Sequence, residues 1–541
     1  MVGSADAGGR IPAEAETATV FDLVRRQASQ RPDAIALTAA SRFGGEHSLS
    51  YSALLDRATM LAAGLCRLQL SQGDRVGLMF DNESALEAAI TMLALHRLGL
   101  VVVPVNTRFA AEEIVYVLGK ADCGAIVAAQ EFVALVSALR ERIPSLQSIV
   151  GVGDKLPADV IDWREMAETD GTIFTAWPEV SPDAISEILF TSGTTAHPKG
   201  AVMTHSRSVI SAYGFADALS LDADDVYQSF FPFFTTAALH CVLLPSWWAG
   251  AEAVLDRRFD LPEILARMHR RRATKYIGAP TFYVFLLETY DPAAHDLSSI
   301  RMFDYGGASM SVEVIRKLAA TFPSVELRQT YGMTESGPSG TVMRGPDNLI
   351  KPGAVGRPWA LTEVRIAGGE GCIVGPGERG EIEIRSPAVM REYFGEPQLT
   401  AATFHDGWLR TGDIGYLDQD GYLFHVDRKK DMIIRGGHNI GSLEVEEVFF
   451  AHPAVVEAAV ISVPHPKLGE DICAFVVPQT GHTITADELR AFCIGKLADY
   501  KIPRWIEFAD TLPRGPMGKV LKTQLRDRVQ QRLAEGDRNA V

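Results

Sequence analysis

The chain has 541 residues, of which 47% are hydrophobic, and carries a formal net charge of −16. That length corresponds to roughly three or four domain-sized units, and the composition suits a globular protein with a large core. The acidic balance argues against broad nucleic-acid or anionic-membrane binding, so an anionic ligand has to be held by a local constellation.

The six cysteines (Cys66, Cys123, Cys241, Cys372, Cys473, Cys493) are scattered without a Cys-x-x-Cys pair, the pattern of reduced cytosolic thiols rather than a disulfide frame or zinc site. The 13 histidines show no His-Glu-x-x-His spacing. Residues 1–18 are rich in Ala, Gly and Glu. They lack the basic start and apolar stretch of a signal peptide, and disorder is expected there. The two most apolar stretches, 85–105 and 235–255, are interrupted by Glu87, His96 and Arg97, and by His240, Pro245 and Glu252. Both read as buried core rather than membrane spans, and a soluble, cytoplasmic protein is expected.

From Arg75 the pattern alternates: strand 76–80, helix from Ser84 to about Leu98, strand 101–105, helix from Ala110 to about Lys120, strand 125–128. Asp81-Asn82 is an N-cap signal for the first of these helices, and Gly99 closes it. Such alternation predicts βαβ units and mostly parallel sheet. Ile188-Leu-Phe190 then runs into a loop rich in Thr, Ser and Gly, closed by Pro198-Lys199-Gly200, and Ala201-Val202-Met203 resumes an extended run. Such a loop offers several donors to phosphate oxygens, its glycine lets the backbone approach closely, and Lys199 adds a point charge. Its order is wrong for a Walker loop, in which Gly-Lys-Ser/Thr opens a helix.

Alternation returns with Phe230–Phe234, a hydrophobic stretch ending at Trp247-Trp248, helix 261–271, the run 276–280, and a strand over 302–310 with a Gly306-Gly307 turn. From about 352, helical periodicity fades, Gly and Pro cluster, and strands such as 381–385 alternate in and out, as in an antiparallel β-subdomain. After Asp427 the chain reads as a small α+β unit with helices 443–451 and 486–497 and strands 457–463 and 474–477. Asp427-Arg-Lys-Lys-Asp431 is the candidate linker.

Four further stretches carry chemistry. In Tyr331-Gly-Met-Thr-Glu335 a flat ring can stack on a base, a hydroxyl can donate to phosphate, and a carboxylate can hold Mg²⁺. Asp413, in Trp408-Leu-Arg-Thr-Gly-Asp-Ile-Gly415, can accept from two vicinal hydroxyls. Next come the linker with Gly436-Gly437-His438, and finally Leu512-Pro-Arg-Gly-Pro-Met-Gly-Lys519.

Together, in this order, these motifs and the loop at 188–200 resemble the adenylate-forming (AMP-binding) superfamily, in its acyl-CoA synthetase (acid–CoA ligase) branch, over roughly residues 20–525. The resemblance implies an α/β protein with a large N-terminal domain (19–429) of two βαβ-type sheets plus the β-subdomain at about 352–427. A small mobile α+β C-terminal domain (430–541) would follow. It implies ATP, Mg²⁺ and coenzyme A, with a carboxylic acid activated to an acyl-adenylate and then transferred to CoA.

By resemblance, ATP and AMP fall to Thr191, Ser192, Gly193, Thr194, Thr195, Lys199, Gly306, Gly307, Ala308, Tyr331, Gly332, Thr334, Asp413, Arg428 and Lys519. Lys519, Thr191, Thr334 and Glu335 are the implied catalytic groups, Glu335 the metal ligand and Lys430 the hinge. Gly436, Gly437 and His438 line the CoA tunnel. The acyl pocket is implied at Phe233, Phe234, Thr235, Thr236, Leu239, Phe282 and Gly307, with Trp248 a further candidate.

Three positions depart from the family pattern. Ala196 replaces a Gly of the phosphate loop, Thr235 replaces a His that gates the acyl pocket, and His438 stands where Glu is usual. A bulky aryl, alicyclic or polycyclic acid is expected, with medium- or long-chain fatty acids as the alternative. A stand-alone adenylation enzyme or a luciferase-like oxygenase shares the motifs. A peptide-synthetase adenylation domain would call for a carrier domain after Lys519 and an Asp near Phe234. The expected partners are small molecules without nucleic acid or a membrane span, and both monomer and homodimer remain open.

Overall fold

The computed structural model describes residues 10–171, 177–191, 197–308, 310–479, 481–482, 484–515 and 519–534. Three sheets organise them. The first has eight strands, with Arg75–Met79, Val101–Pro104 and Cys123–Ala129 at its parallel centre. These strands bury side chains on both faces, which is why Val101-Val102-Val103 is uninterruptedly apolar rather than alternating. Ile185–Thr191 continues this sheet and folds back antiparallel as Lys199–Thr204.

The second sheet has fourteen strands. Its centre runs parallel through Val226–Ser229, Lys275–Gly278, Met302–Gly306 and Glu326–Tyr331. All four strands end at the same edge, the C-terminal edge at which open α/β sheets place their ligands. The expected β-subdomain is present as antiparallel strands between Ala354 and Arg428, but it is not a separate sheet. Ala354–Pro358 pairs with Thr341–Met343 on one side and with Leu423–Arg428 on the other, which joins it edge to edge to the parallel strands. The third sheet, of five strands, begins at Ile433–Arg435 and is covered by helices that include Ser442–Phe450 and Lys522–Ala534.

One expectation needs correction. Disorder over 1–18 does not hold for its described part: Ala13–Thr17 is a helical turn whose Ala15 is fully buried in the main core. The candidate linker, residues 427–431, is only partly exposed. Asp427 is 2% exposed and accepts from the N–H groups of Arg428 and Ser442, and Asp431 pairs with Arg526 at 2.6 Å. Only Lys429 and Lys430 project into solvent.

Of the polar residues interrupting the two apolar stretches, Glu87, His96 and His240 are buried, while Arg97 and Glu252 are partly exposed. His240 sits on a π-helical turn, Leu239–Leu243, and meets the Glu187 carboxylate at 2.8 Å; Ser208 donates to the same oxygen at 2.6 Å. His96 lies 3.7 Å from the other oxygen. Burial alone would raise the Glu187 carboxyl, but these partners outweigh it and hold it near about 2. This network ties the strand leading into the phosphate loop to the helix beside the ligand edge. No helix among the described residues is long and apolar enough to cross a membrane.

His205, edge-on to His96 at 5.1 Å, is kept neutral chiefly by burial, its value lowered from 6.5 to about 3. Below pH 6.5 the unfolded chain gains a proton there that the folded chain refuses until about pH 3. Stability linked to His205 is therefore intact above pH 6.5 and lost as pH falls through that window, at about 1.4 kcal/mol per pH unit. In thermal melts, His205→Gln is expected to lose less stability than wild type between pH 7 and pH 5; identical pH dependence would contradict this.

Candidate active site

Glu335 gathers three segments distant in sequence. It lies in the short helical turn Thr334–Ser336, 8% exposed. Its Oε1 accepts from Thr191 Oγ1 at 3.2 Å and from the Tyr393 hydroxyl at 3.0 Å, while its backbone carbonyl accepts from Met390 N at 2.9 Å. Its Oε2 takes no hydrogen bond among the described residues. Lys199 stands over the Tyr393 ring at 5.7 Å. Thr334 shares a hydroxyl–hydroxyl bond of 2.8 Å with Thr236. Of the phosphate loop, Ser192, Gly193, Thr194 and Thr195, with Ala196, lie outside the described residues.

On the neighbouring strand end the Tyr331 hydroxyl donates to Asp413 Oδ2 at 2.8 Å, and Arg428 Nε lies 2.8 Å from Oδ1. Burial would raise the Asp413 carboxyl; His425, Arg428 and Tyr331 outweigh it and hold it below its ordinary value. An ionised, nearly buried carboxylate at the mouth of the cleft suits a pair of ribose hydroxyls. Gly306 and Gly332 are required by close approach. A Cβ at Gly306 would lie 2.8 Å from Thr330 Oγ1, and one at Gly332 would lie 2.0 Å from Pro338 O. Ala308 is exposed just beyond this strand end.

Lys519 comes from the C-terminal part of the chain, more than 200 residues away in sequence, and crosses to this edge. Its Cε would lie 3.4 Å, and its Nζ 3.9 Å, from a Cβ built on Gly307, which has φ +78°. The side chain remains open to solvent, yet protein walls surround it. Desolvation by those walls and the charge of Arg428 lower the ammonium to about 8, against the opposing pull of Asp413 and Glu335. Arg514, five residues earlier, donates to Thr281 Oγ1 at 3.4 Å and pairs with Glu457 at 2.5 Å.

The expected acyl-pocket residues divide. Phe233 and Leu239 are buried in the core beneath the π-helical turn, while Phe234, Thr235 and Thr236 are partly exposed at the edge. Thr235 caps the helical turn that follows, donating to Pro232 O at 2.7 Å and accepting from Ala238 N at 3.2 Å. Phe282 does not belong with them. The helix Pro280–Thr289 turns it back onto Tyr276, ring centroids 4.3 Å apart, in the core on the other face of the sheet. Trp248 is also elsewhere, against Arg26 at 4.4 Å and Tyr213 at 5.5 Å.

Gly436 and Gly437 form a two-residue hairpin turn, both with positive φ, and His438 stacks on Tyr500 at 4.4 Å. This hairpin is solvent-exposed while Lys519 occupies the cleft, so the two segments are not brought together. Lys430 lies in the exposed turn directly after the Leu423–Arg428 strand.

Tyr393, His425 and Asn82 escaped the sequence reading. Asn82 is 4% exposed and ties down the Phe230–Phe234 loop through Phe233 N at 2.8 Å and Phe231 O at 3.0 Å. In sequence it shows only as part of a helix cap.

The AMP-binding enzyme family matches residues 24–394, and the AMP-binding enzyme C-terminal domain matches residues 444–519. A feruloyl-CoA synthase from an Amycolatopsis species is 35% identical over 504 residues, covering 93% of this chain and 97% of that protein. A 3-[(3aS,4S,7aS)-7a-methyl-1,5-dioxo-octahydro-1H-inden-4-yl]propanoyl:CoA ligase from Rhodococcus jostii is 34% identical, covering 89% and 94%. The crystal structure of the anthranilate CoA ligase AuaEII in complex with anthranoyl-AMP superposes with a TM-score of 0.88 at 26% identity, over 96% of this chain and 98% of that one. The chain belongs to the AMP-binding enzyme family, in its acyl-CoA synthetase branch, and is an ATP-dependent acid–CoA ligase.

Proposed function

We propose that this ligase activates a ring-bearing, largely hydrophobic carboxylic acid, with the residues gathered at the Gly307 edge dividing the work. The observation that carries this reading is Lys519 held against Gly307, within the electrostatic reach of Asp413 and Glu335. A substrate carboxylate oxygen attacks the α-phosphorus of ATP, the bond to the β-phosphate breaks, and pyrophosphate leaves. Negative charge builds on the α-phosphate oxygens. Lys519 and Thr334 are the donors proposed for that charge in a partly desolvated cleft; Thr191, whose hydroxyl donates to Glu335 here, would join them by turning its proton to the phosphate. A carboxylate is already a nucleophile near neutral pH, so no general base is required. Asp413 takes the ribose hydroxyls and Tyr331 lies along the adenine.

Glu335 fits a magnesium ion. Mg²⁺ is commonly held by one or two carboxylates together with phosphate oxygens and water, and Oε2 takes no hydrogen bond among the described residues. There it would neutralise phosphate charge. No group of three or more His, Cys, Asp or Glu side chains suited to a metal occurs among the described residues, consistent with a site completed by substrate.

The second step needs a different arrangement. Lys519 leaves, the Gly436-Gly437 hairpin takes its place, and the CoA thiol attacks the adenylate carbonyl to give the thioester and AMP. One cleft serving two reactions in turn calls for such a domain movement. Lys430 would absorb the change in backbone angles.

For the acyl group, Phe233, Phe234 and Leu239 offer apolar surface, with Thr235 and Thr236 as polar groups close to the carboxylate. An α-ammonium here would lack a charged partner, at a cost of several kcal/mol. Acetate would leave apolar area uncovered, at about 25 cal/mol per Å². The names of the three similar proteins, feruloyl, the dioxo-indenyl propanoyl and anthranoyl, also favour ring-bearing acids.

Cinnamate or a bulky alicyclic acid is expected to give a higher kcat/KM than acetate, phenylalanine or octanoate in CoA-dependent AMP release. A preference for any of those three would overturn this choice of substrate.

Lys519→Ala should slow adenylation by about 10²–10³ and leave thioester formation from synthetic acyl-adenylate largely intact. In wild type, kcat/KM for adenylation should fall as pH rises through about 8, where Lys519 loses its charge; the thioester step should lack that limb. Equal damage to both steps contradicts the assignment.

Lys430→Pro should have the opposite effect. The hydrogen bonds of its turn are donated by the Lys429, Asp431 and Met432 N–H groups, so proline fixes φ without removing one of them. Pyrophosphate exchange should persist while thioester output falls; undiminished thioester turnover excludes Lys430 as the hinge.

A further inference from the structure

Asp427 and Arg428 end the same strand and serve opposite faces of it. Arg428 reaches the Asp413 carboxylate in the cleft, whereas Asp427 is buried on the other side. Asp427 Oδ1 accepts from the Arg428 N–H at 2.7 Å, and its Oδ2 accepts from the N–H of Ser442. Ser442 is the first residue of the helix Ser442–Phe450. The N–H groups of a helix's first turn have no partner within the helix, and Gly441, the residue before this one, has no side chain to offer. A Cβ on Gly441 would lie 3.2 Å from Val426 O, so the helix starts hard against the strand. Asp427 therefore caps this helix from a different element, and its negative charge suits the positive end of the helix dipole.

The contact continues beyond Ser442. Its Oγ accepts from Lys522 Nζ, which also meets Glu446 Oε1 at 2.7 Å, and Glu446 accepts in turn from the Val460 N–H at 2.7 Å. Burial would lower the Lys522 ammonium, but Glu446 and Asp427 outweigh it and raise it. Lys522 opens the helix Lys522–Ala534, and one turn along the same face Arg526 pairs with Asp431 at 2.6 Å. Lys519 lies three residues before this helix. Polar contacts thus lead from the strand that borders the cleft, through Ser442 and Lys522, to the base of the segment that carries Lys519.

The members of this network fall on two sides of the Lys429-Lys430 turn. Asp431, Ser442, Glu446, Lys522 and Arg526 all follow the turn in sequence and belong to the C-terminal unit; Asp427 precedes it. The bond from the Ser442 N–H to Asp427 is accordingly one that a rotation about the turn has to break, while the pairs Lys522–Glu446 and Arg526–Asp431 travel with the unit.

We propose that Asp427 is a positioning residue for adenylation: by capping the helix at Ser442 it holds the C-terminal unit in the arrangement that sets Lys519 against Gly307, and it lets go for the thioester step. Asp427 itself touches neither phosphate nor acid. Its contribution belongs to one arrangement only, so its loss costs the first half-reaction and spares the second. This inference rests on the two-arrangement reading of Lys519 and Lys430 and adds to it the contact that secures the first arrangement.

The test measures pyrophosphate exchange, and thioester formation from synthetic acyl-adenylate and CoA, in Ser442→Pro, Ser442→Ala and Asp427→Ala. Proline is well suited to the first position of a helix, and Gly441 already has the extended backbone (φ −74°, ψ 128°) that a following proline requires, so Ser442→Pro deletes the N–H donor while keeping the helix. Ser442→Ala keeps that donor and removes only the hydroxyl. Ser442→Pro and Asp427→Ala should each slow pyrophosphate exchange by roughly 5- to 30-fold, the size of one lost helix cap, with thioester formation at or above the wild-type rate. The double variant should be no slower than either alone, and Ser442→Ala should exchange pyrophosphate faster than Ser442→Pro. Unchanged exchange in Ser442→Pro and Asp427→Ala, or equal loss in both half-reactions, would overturn the role given to Asp427. If Lys519→Ala still impairs adenylation alone, the two-arrangement reading survives that result; if Lys519→Ala impairs both steps equally, that reading falls as well.

Discussion

The cleft depends on one carboxylate oxygen that carries two hydroxyl donors. Glu335 Oε1 receives Thr191, at the end of the strand entering the phosphate loop, and Tyr393, from a short strand that pairs with the far side of that same hairpin. The first sheet and the edge of the second are thereby held in one fixed relation, and the remaining oxygen is left for a cation and phosphates. Behind it, Glu187 and His240 repeat the device inside the core, joining the same strand to the π-helical turn Leu239–Leu243. Both knots are charge-assisted and little exposed, conditions under which such bonds contribute most to geometry.

Electrostatics explains how an acidic chain of net charge −16 handles a polyphosphate. The charges that matter are few and local. Asp413 is held ionised by Arg428 and His425, and Lys519 enters a cleft whose walls already disfavour its charge. A lysine poised near its own titration gains most from an arriving phosphate, which restores the ammonium as charge develops. The same lysine obstructs a second reaction at that place. In the cycle proposed above, the exposed Gly436-Gly437 hairpin would supply the alternative face and the turn at Lys429-Lys430 the joint.

Much of this was legible in the sequence because the motifs are contiguous and their order along the chain is informative. Helix 261–271 and the strand ending at the Gly306-Gly307 turn came from periodicity and glycine placement alone. Contacts made across the sheets were not legible. Tyr393 and His425 are single side chains outside any motif, brought in by strand pairing. Phe282 was assigned to the pocket by resemblance alone, and a matching segment does not say which face of the sheet each of its side chains covers.

The central claim is that a carboxylate oxygen of the acid becomes bonded to the α-phosphorus before CoA takes the acyl group. Turnover with a ring acid labelled with ¹⁸O in both carboxylate oxygens tests it directly. The account predicts one ¹⁸O in the AMP released, one in the thioester carbonyl and none in pyrophosphate. Label in pyrophosphate or orthophosphate, or unlabelled AMP accompanied by thioester formation, would contradict it.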